Sequence, residues 1–187
     1  MSLIAQKQIL RTQMKTLRAE KASTFPAASE KASEIFLAHF SYYTRFALYY
    51  PLPDEMDTRP LMTSLTAQGK IIGLPQVDDK GLVFRRWQSG ETLTRGPYQT
   101  LEPELQAEIM NPEVVVVPLL AFDSKGYRLG YGKGHYDRTL AALRQNGGVI
   151  AVGYAWSFQA VETLPHEAHD MPLDTVVCEN SIIEFSR

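Results

Sequence analysis

Residues 114–117 are four consecutive valines, and the apolar run continues to Phe122. β-Branched side chains favour extended backbone, and a strand without a polar residue has no face to give to water. Such a strand is buried on both sides, which requires a parallel sheet with helices packed against each face. The surrounding pattern agrees. Helical stretches are expected over residues 2–22 and 27–40, from an Asp57 or Thr58 cap through Gln68, and from about Gly134 through Gln145. Strands are expected at 45–50, 70–77, 114–117, 149–155 and 175–178, the last followed by a short edge piece. Asp78-Asp79-Lys80-Gly81 turns the second strand back into LVFRRW as a hairpin. Residues 89–113 form an irregular excursion, 159–164 a short helix and 165–174 a loop. Strands that alternate with helices define an α/β fold with a mostly parallel central sheet flanked by helices and one hairpin excursion. The 187 residues suffice for one core, so residues 1–187 are expected to form a single domain.

Two helices carry a face. In the first, Leu3, Leu10, Met14 and Leu17 share one side, while Lys7, Arg11, Lys15 and Arg18 make a basic stripe. Alone, that stripe reads equally as a solvated surface. In the second, Ala28, Ala32, Ile35, Phe36 and His39 fall near one side.

Charge narrows the function. Nineteen Lys and Arg against 21 Asp and Glu give a net charge of −2, which provides no general attraction to nucleic acid or to an anionic membrane. Any anion site must therefore be built from local cations. No segment approaches the roughly 20 apolar residues that span a bilayer, and the charged N-terminus is unlike a secretory signal. Cys178, the sole cysteine, allows neither an intrachain disulfide nor a cysteine-based zinc cage, in keeping with a reducing cytoplasm.

The local cations are found in AFDSKGYRLGYGKGHYDR, residues 121–138, where four of the twelve glycines lie between Gly126 and Gly134. Gly130, Gly132 and Gly134 alternate, which leaves backbone N–H groups unshielded. Arg128, Lys133 and Arg138 add positive charge, and a helix begins at the end of the run. Bare amides, cations and a helix N-terminus make a polyphosphate cradle. A Walker A loop does not fit, because Gly134 follows Lys133, and neither does a dinucleotide fingerprint, because the spacing is GxGxG. A mobile turn is the plain alternative.

These residues carry a family resemblance. Pro118, Ala121-Phe122-Asp123, Gly126 and Arg128-Leu129-Gly130-x-Gly132-x-Gly134-x-Tyr136-Asp137-Arg138 resemble the signature of the 5-formyltetrahydrofolate cyclo-ligases. The likeness extends through Lys7-x-x-x-Arg11, Asp54-Glu55-x-Asp57-Thr58, Gly69-Lys70 with Pro75, Glu102-Pro103, Gly153-Tyr154 and Asp170-x-Pro172-x-Asp174. It implies a fold like that of the NagB, RpiA and CoA-transferase proteins. It implies the reaction of 5-formyltetrahydrofolate and MgATP to 5,10-methenyltetrahydrofolate, ADP and phosphate, in a cytoplasmic monomer with small-molecule partners only.

The resemblance also assigns residues. Lys7, Gln8, Ile9, Leu10 and Arg11, together with Arg128, Leu129, Gly130, Tyr131, Gly132, Lys133, Gly134, His135 and Tyr136, fall to ATP. Arg11, Arg128 and Lys133 are placed as catalytic, and Asp137 and Asp170 as carboxylates for Mg²⁺. Tyr50, Glu55, Tyr98, Tyr131, Gly132 and His135 fall to the folate. Read from the residues alone, Asp137 is equally a first-turn helix acid and Asp170 a turn residue, while Asp123 and Asp174 read as structural. His166 and His169 read as loop histidines, and Phe84 and Trp87 as core. Tyr131 and His135 stand at variable positions of the family, and some relatives carry glycine in place of Lys133.

Overall fold

The computed structural model describes residues 2–25 and 27–186; Met1, Pro26 and Arg187, the two ends of the expected domain among them, lie outside the described residues. Its helices are α1 (Leu3–Lys21), α2 (Ala28–Phe40), α3 (Arg59–Ala67) and α4 (His135–Gln145). The principal strands are β1 (Arg45–Ala47), β2 (Ile71–Asp78), β3 (Gly81–Arg86), β6 (Val114–Val117), β9 (Ile150–Tyr154), β10 (Thr175–Val177) and β11 (Ile182–Glu184). They form one sheet in the order β11-β10-β9-β6-β1-β2-β3. The five inner strands are parallel, and only β3 and β11, at the two edges, run antiparallel. Two small hairpins stand apart: β4 (Leu93–Arg95) with β5 (Leu101–Pro103), and β7 (Ala121–Phe122) with β8 (Arg128–Leu129).

The valine run is buried as its composition demands. Phe46, Leu48, Val114, Val116 and Val152 pack on α2 and α3, while Ala47, Val115, Val117 and Ala151 face Leu140 of α4. Burial on both faces removes every polar alternative, so these strands set the layer structure. Helix α1 does not join either layer. Its Met14, with Leu10 and Leu17, packs on Leu120, Ala121, Leu129 and Leu164, across the loops at one end of the sheet.

Several expectations need correction. The strand expected at 45–50 stops at Ala47 because the chain turns out of the sheet: Tyr49 O accepts from the buried Thr58 hydroxyl at 2.6 Å. Thr58 therefore does not cap α3 with its side chain; the Asp57 carboxylate accepts from Arg59 N at 2.9 Å instead. No α-helix forms at 159–164. A 3₁₀ turn spans Ser157–Gln159, and the buried Gln159 amide donates to the carbonyls of Leu119 and Leu120, which pins the chain in an irregular path. His39 is exposed, and Phe40 takes its place on the buried side of α2. Leu3 is exposed as well, while Lys7 and Arg18 of the basic stripe are buried. Phe84 and Trp87, expected as core, are buried on opposite faces of the sheet.

Gly153 sits where no side chain fits. A Cβ there would lie 2.7 Å from Leu173 Cδ1, 2.8 Å from Leu119 Cδ2 and 2.9 Å from Val176 Cγ2, all of them buried. Gly153→Ala is expected to destabilise the protein by about 1–3 kcal/mol through overpacking. A urea midpoint equal to the parent's would contradict this packing.

Candidate active site

The parallel strands taken in chain order lie 2-1-3-4-5 across the sheet, so the winding reverses between β1 and β6. Open α/β sheets bind ligands in the crevice beyond the carboxyl ends of the strands at such a reversal. A cleft of about 690 Å³ occupies that place, lined by Tyr49 and Tyr50 after β1 and by Pro118 after β6. Its volume suits a small organic ligand.

Helix α1 closes one side with its basic stripe. Ile4, Lys7, Arg11 and Lys15 line the cleft, at the three- and four-residue steps that bring side chains to one face. Lys7 Nζ donates to Asp170 Oδ2 at 2.6 Å and to Glu167 Oε2 at 3.0 Å. Arg11 Nε donates to the Gly130 carbonyl at 2.9 Å. Arg18, two turns further on, donates to Asp54 Oδ2 and, at 2.7 Å, to the Tyr131 hydroxyl. The stripe is thus turned inward and ties three loops to one helix. Burial alone would lower the Lys7 pKa, but its bonds to Asp170 and Glu167 outweigh this and raise it. Burial opposes the charge on Asp170 too, and Lys7 with the Glu167 N–H brings its pKa below the ordinary value. Both groups are held in their charged forms.

The glycine segment forms the opposite wall. Gly132 and Gly134 have positive φ, +91° and +65°, and a Cβ on Gly132 would lie 2.9 Å from Arg11 Cζ. Glycine is needed here for close approach of the helix as well as for the backbone bend. Gly134 is the N-cap of α4, and no side chain caps that helix, so its first amides open at the cleft. Lys133 Nζ lies 5.2 Å from the Tyr98 ring centroid, above a hairpin turn where Tyr98 and Gln99 both adopt left-handed backbone, φ +66° and +62°.

Arg128 is placed differently from Lys133. Its guanidinium donates to the Met171 carbonyl and to Asp137 Oδ1, the latter at 2.7 Å, and its side chain is only 5% exposed. It lines the cleft while it braces β8 against the 165–174 loop. Asp137 accepts both Arg128 and Met171 N on Oδ1, and Asp170 accepts both Lys7 and Glu167 N on Oδ2. Each aspartate therefore has one anchored oxygen and one oxygen to spare, a hard-donor pair that fits Mg²⁺. Glu167 and His169 stand beside Asp170, with ligand atoms within 4.8 Å of one another. His169 thus has carboxylate neighbours that the spacing of the histidines alone did not suggest, whereas His166 stacks on Tyr127 at 3.7 Å. Asp123 and Asp174 are structural: the first accepts backbone N–H groups from Lys125, Tyr127 and Leu164, the second bonds Arg144 and Ala151 N.

The far end of the cleft is aromatic and acidic. Glu55 Oε2 accepts from Leu52 N at 3.0 Å and lies within reach of the Tyr131 hydroxyl. Burial raises its pKa, against the opposing pull of the Leu52 N–H and Arg18. Tyr98 and His135 meet at 5.8 Å between ring centroids. Burial and the nearby Arg138 and Lys133 charges lower the His135 pKa, and Arg138 Nη2 lies 3.1 Å from its Nδ1.

Of the residues expected from sequence, Lys7, Arg11, Tyr50, Glu55, Tyr98, Asp137 and Asp170 line this cleft, as do all those from Arg128 to Tyr136. Gln8, Ile9 and Leu10 do not, because successive residues of a helix point in different directions. Ile4, Lys15, Glu102 and Glu167 line it without having been expected there; helical spacing from Lys7 and Arg11 points to the first two.

Fold and cleft together define a doubly wound α/β protein with a cleft rich in charges of both signs at its winding reversal. Residues 3–179 match the model of the 5-formyltetrahydrofolate cyclo-ligase family, and the chain belongs to that family. It is similar to 5-formyltetrahydrofolate cyclo-ligases of Haemophilus influenzae (33% identity, covering 89% of this chain and 94% of that protein) and Escherichia coli (36%, covering 74% and 80%). The NMR structure of Aquifex aeolicus 5,10-methenyltetrahydrofolate synthetase superposes with a TM-score of 0.80 at 32% identity, covering 97% of this chain and 93% of that one.

The two arginine and lysine positions make separable predictions. Lys133→Ala should lower kcat while the melting temperature stays at the parent value. Arg128→Ala, which leaves the half-buried Asp137 without its cation, should also lose about 1–3 kcal/mol of stability, roughly 3–10 °C in Tm. The sequence alone suggests that both variants fold normally, so equal melting temperatures would argue against the brace.

Proposed function

We propose that this chain converts 5-formyltetrahydrofolate to 5,10-methenyltetrahydrofolate while ATP becomes ADP and phosphate. The observation that carries the reading is the single cleft in which the cations of α1, the bare amides of 130–134 and the acidic-aromatic end around Glu55 meet. One end suits a polyphosphate, the other a pterin, and the two ligands' reacting groups meet between them.

The formyl group is an amide whose oxygen must leave. Transfer of the γ-phosphoryl group to that oxygen replaces a hydroxide-like leaving group, of pKa ~15.7, with phosphate, whose second pKa is about 6. N10 then attacks the formyl carbon, and phosphate departs with the original oxygen. No protein nucleophile is required, and the buried Cys178 thiol, its pKa pushed up to about 12 by burial, takes no part. The protein's task is alignment and neutralisation of charge. Lys7, Arg11 and Lys133 supply cations to the phosphate chain, and the amides at the start of α4 supply donors. Asp137 and Asp170 would hold Mg²⁺, which supplies charge neutralisation on the phosphate oxygens when bound. Glu55 accepts paired hydrogen bonds from the pterin amino and ring N–H groups, and Tyr50 and Tyr98 pack beside the rings. We place these roles in one domain spanning the chain and in a cytoplasmic setting; the described helices include none long and apolar enough to cross a membrane.

The assay is the appearance of the methenyl chromophore from 5-formyltetrahydrofolate, with ATP or Mg²⁺ omitted in turn. Product is expected only when both are present. Saturable folate binding without product would make the chain a binding module, and turnover that ignores ATP would make it an isomerase-like enzyme.

Glu55→Gln should raise the folate KM at least about tenfold and leave the ATP KM near the parent's. Because the folded-state pKa of Glu55 is raised, the native protein holds that proton more tightly than the unfolded chain. Ionised Glu55 therefore costs stability as pH rises through that pKa, and the Gln variant should melt at or above the parent temperature near neutral pH. Equal damage to both KM values would remove Glu55 from the pterin site.

A further inference from the structure

Arg18 lies outside the cleft lining, yet its guanidinium reaches two loops that build the acidic end. It is 1% exposed, a position in which a cation persists only with partners. Nη2 donates to Asp54, the residue beside Glu55, and to the Tyr131 hydroxyl at 2.7 Å. Glu55 lies close enough to that hydroxyl for its pKa to be pulled down against burial. The guanidinium thus holds two groups that flank the carboxylate, the Tyr131 phenol across the cleft and Asp54 along the chain. The Arg18 guanidinium also lies 5.7 Å from the Tyr131 ring centroid, and Lys15 Nζ lies 5.3 Å from it, so the ring is held as well as its hydroxyl.

We propose that Arg18 is a positioning residue for the folate end of the cleft, acting through Tyr131 and Asp54, the two groups it holds on either side of the Glu55 carboxylate. The proposal rests on the reading of Glu55 as the pterin acceptor. The groups around Glu55 make Arg18 decisive. Tyr131 faces it from the glycine loop, Tyr136 from the first turn of α4, Tyr49 from the end of β1, and Asp54 is its chain neighbour. These are phenols and a carboxylate; Arg18 supplies positive charge from behind Tyr131 and Asp54, and Lys15 lies over the Tyr131 ring. Without Arg18, burial and Asp54 both press Glu55 toward its neutral form, which cannot accept the paired hydrogen bonds.

The experiment is steady-state kinetics of the full chain across pH for Arg18→Gln, Arg18→Lys, Tyr131→Phe and Glu55→Gln. Arg18→Gln should raise the folate KM about tenfold, leave the ATP KM within about twofold, and move the acid limb of kcat/KM for folate to higher pH. Arg18→Lys, which keeps the charge, should return that limb toward the parent's. Equal changes in both KM values with an unmoved limb would reduce Arg18 to a structural role and overturn the proposal. If Arg18→Gln does not fold, Tyr131→Phe decides, because it cuts the Arg18–Tyr131 relay at a partly exposed side chain: a parent-like folate KM and limb there contradict the proposal. Glu55→Gln separates the two failures. If it keeps the parent folate KM and acid limb, the pterin assignment falls and the relay with it. If it loses both while the Arg18 and Tyr131 variants keep them, only the relay is wrong.

Discussion

The cleft depends on the way α1 spends its positive charge. A helix with Lys7, Arg11, Lys15 and Arg18 on one face would ordinarily present them to water, where each gains little from a partner. Here the helix lies across the loops beyond the sheet, held by Met14 and its apolar neighbours, and the cations face inward. Lys7 takes hold of the 165–174 loop, Arg11 the glycine loop, and Arg18 both the Asp54 loop and Tyr131. Those loops come from widely separated parts of the chain; Arg128 and Asp137 join two of them directly, and α1 gathers all three.

The glycines follow from the same contact. Arg11 lies against Gly132, where a Cβ would push the guanidinium aside, and the positive φ of Gly132 and Gly134 brings the amides of α4 to the cleft. One side chain and two bends thus give a concave surface with cations on one side and N–H groups on the other. Glu55 at the other end shows the opposite economy of charge, a carboxylate that burial opposes and that Arg18 helps to retain.

Much of this was legible in the sequence, for physical reasons that can be named. The valine run and its alternation with helices determine the parallel sheet, since four adjacent apolar β-branched residues have no half-exposed solution. The glycine segment raises the expectation of an anion site because alternating Gly130, Gly132 and Gly134 leave backbone N–H groups bare beside three cations. The spacing of the basic stripe was visible, but its direction was not: amphipathic pattern distinguishes faces and does not say which face meets water when both carry partners. Of residues 7–11, expected as one contiguous ligand segment, Gln8, Ile9 and Leu10 do not line the cleft, because helical rotation carries their side chains away from it. Long-range pairings such as Lys7 with Glu167, or Arg128 with Met171, leave no mark in local sequence. Gln159 shows a tertiary contact overriding local preference, because its amide is drawn to the carbonyls of Leu119 and Leu120 instead of entering a helix.

The account turns on the union of α1 and the glycine loop as one phosphate cradle. Backbone hydrogen exchange of the full chain, with and without a non-hydrolysable ATP analogue and Mg²⁺, addresses that union directly. Slowed exchange is expected together at residues 130–136 and along the first half of α1. Nucleotide binding that protects some other part of the fold and leaves both segments unchanged would contradict it.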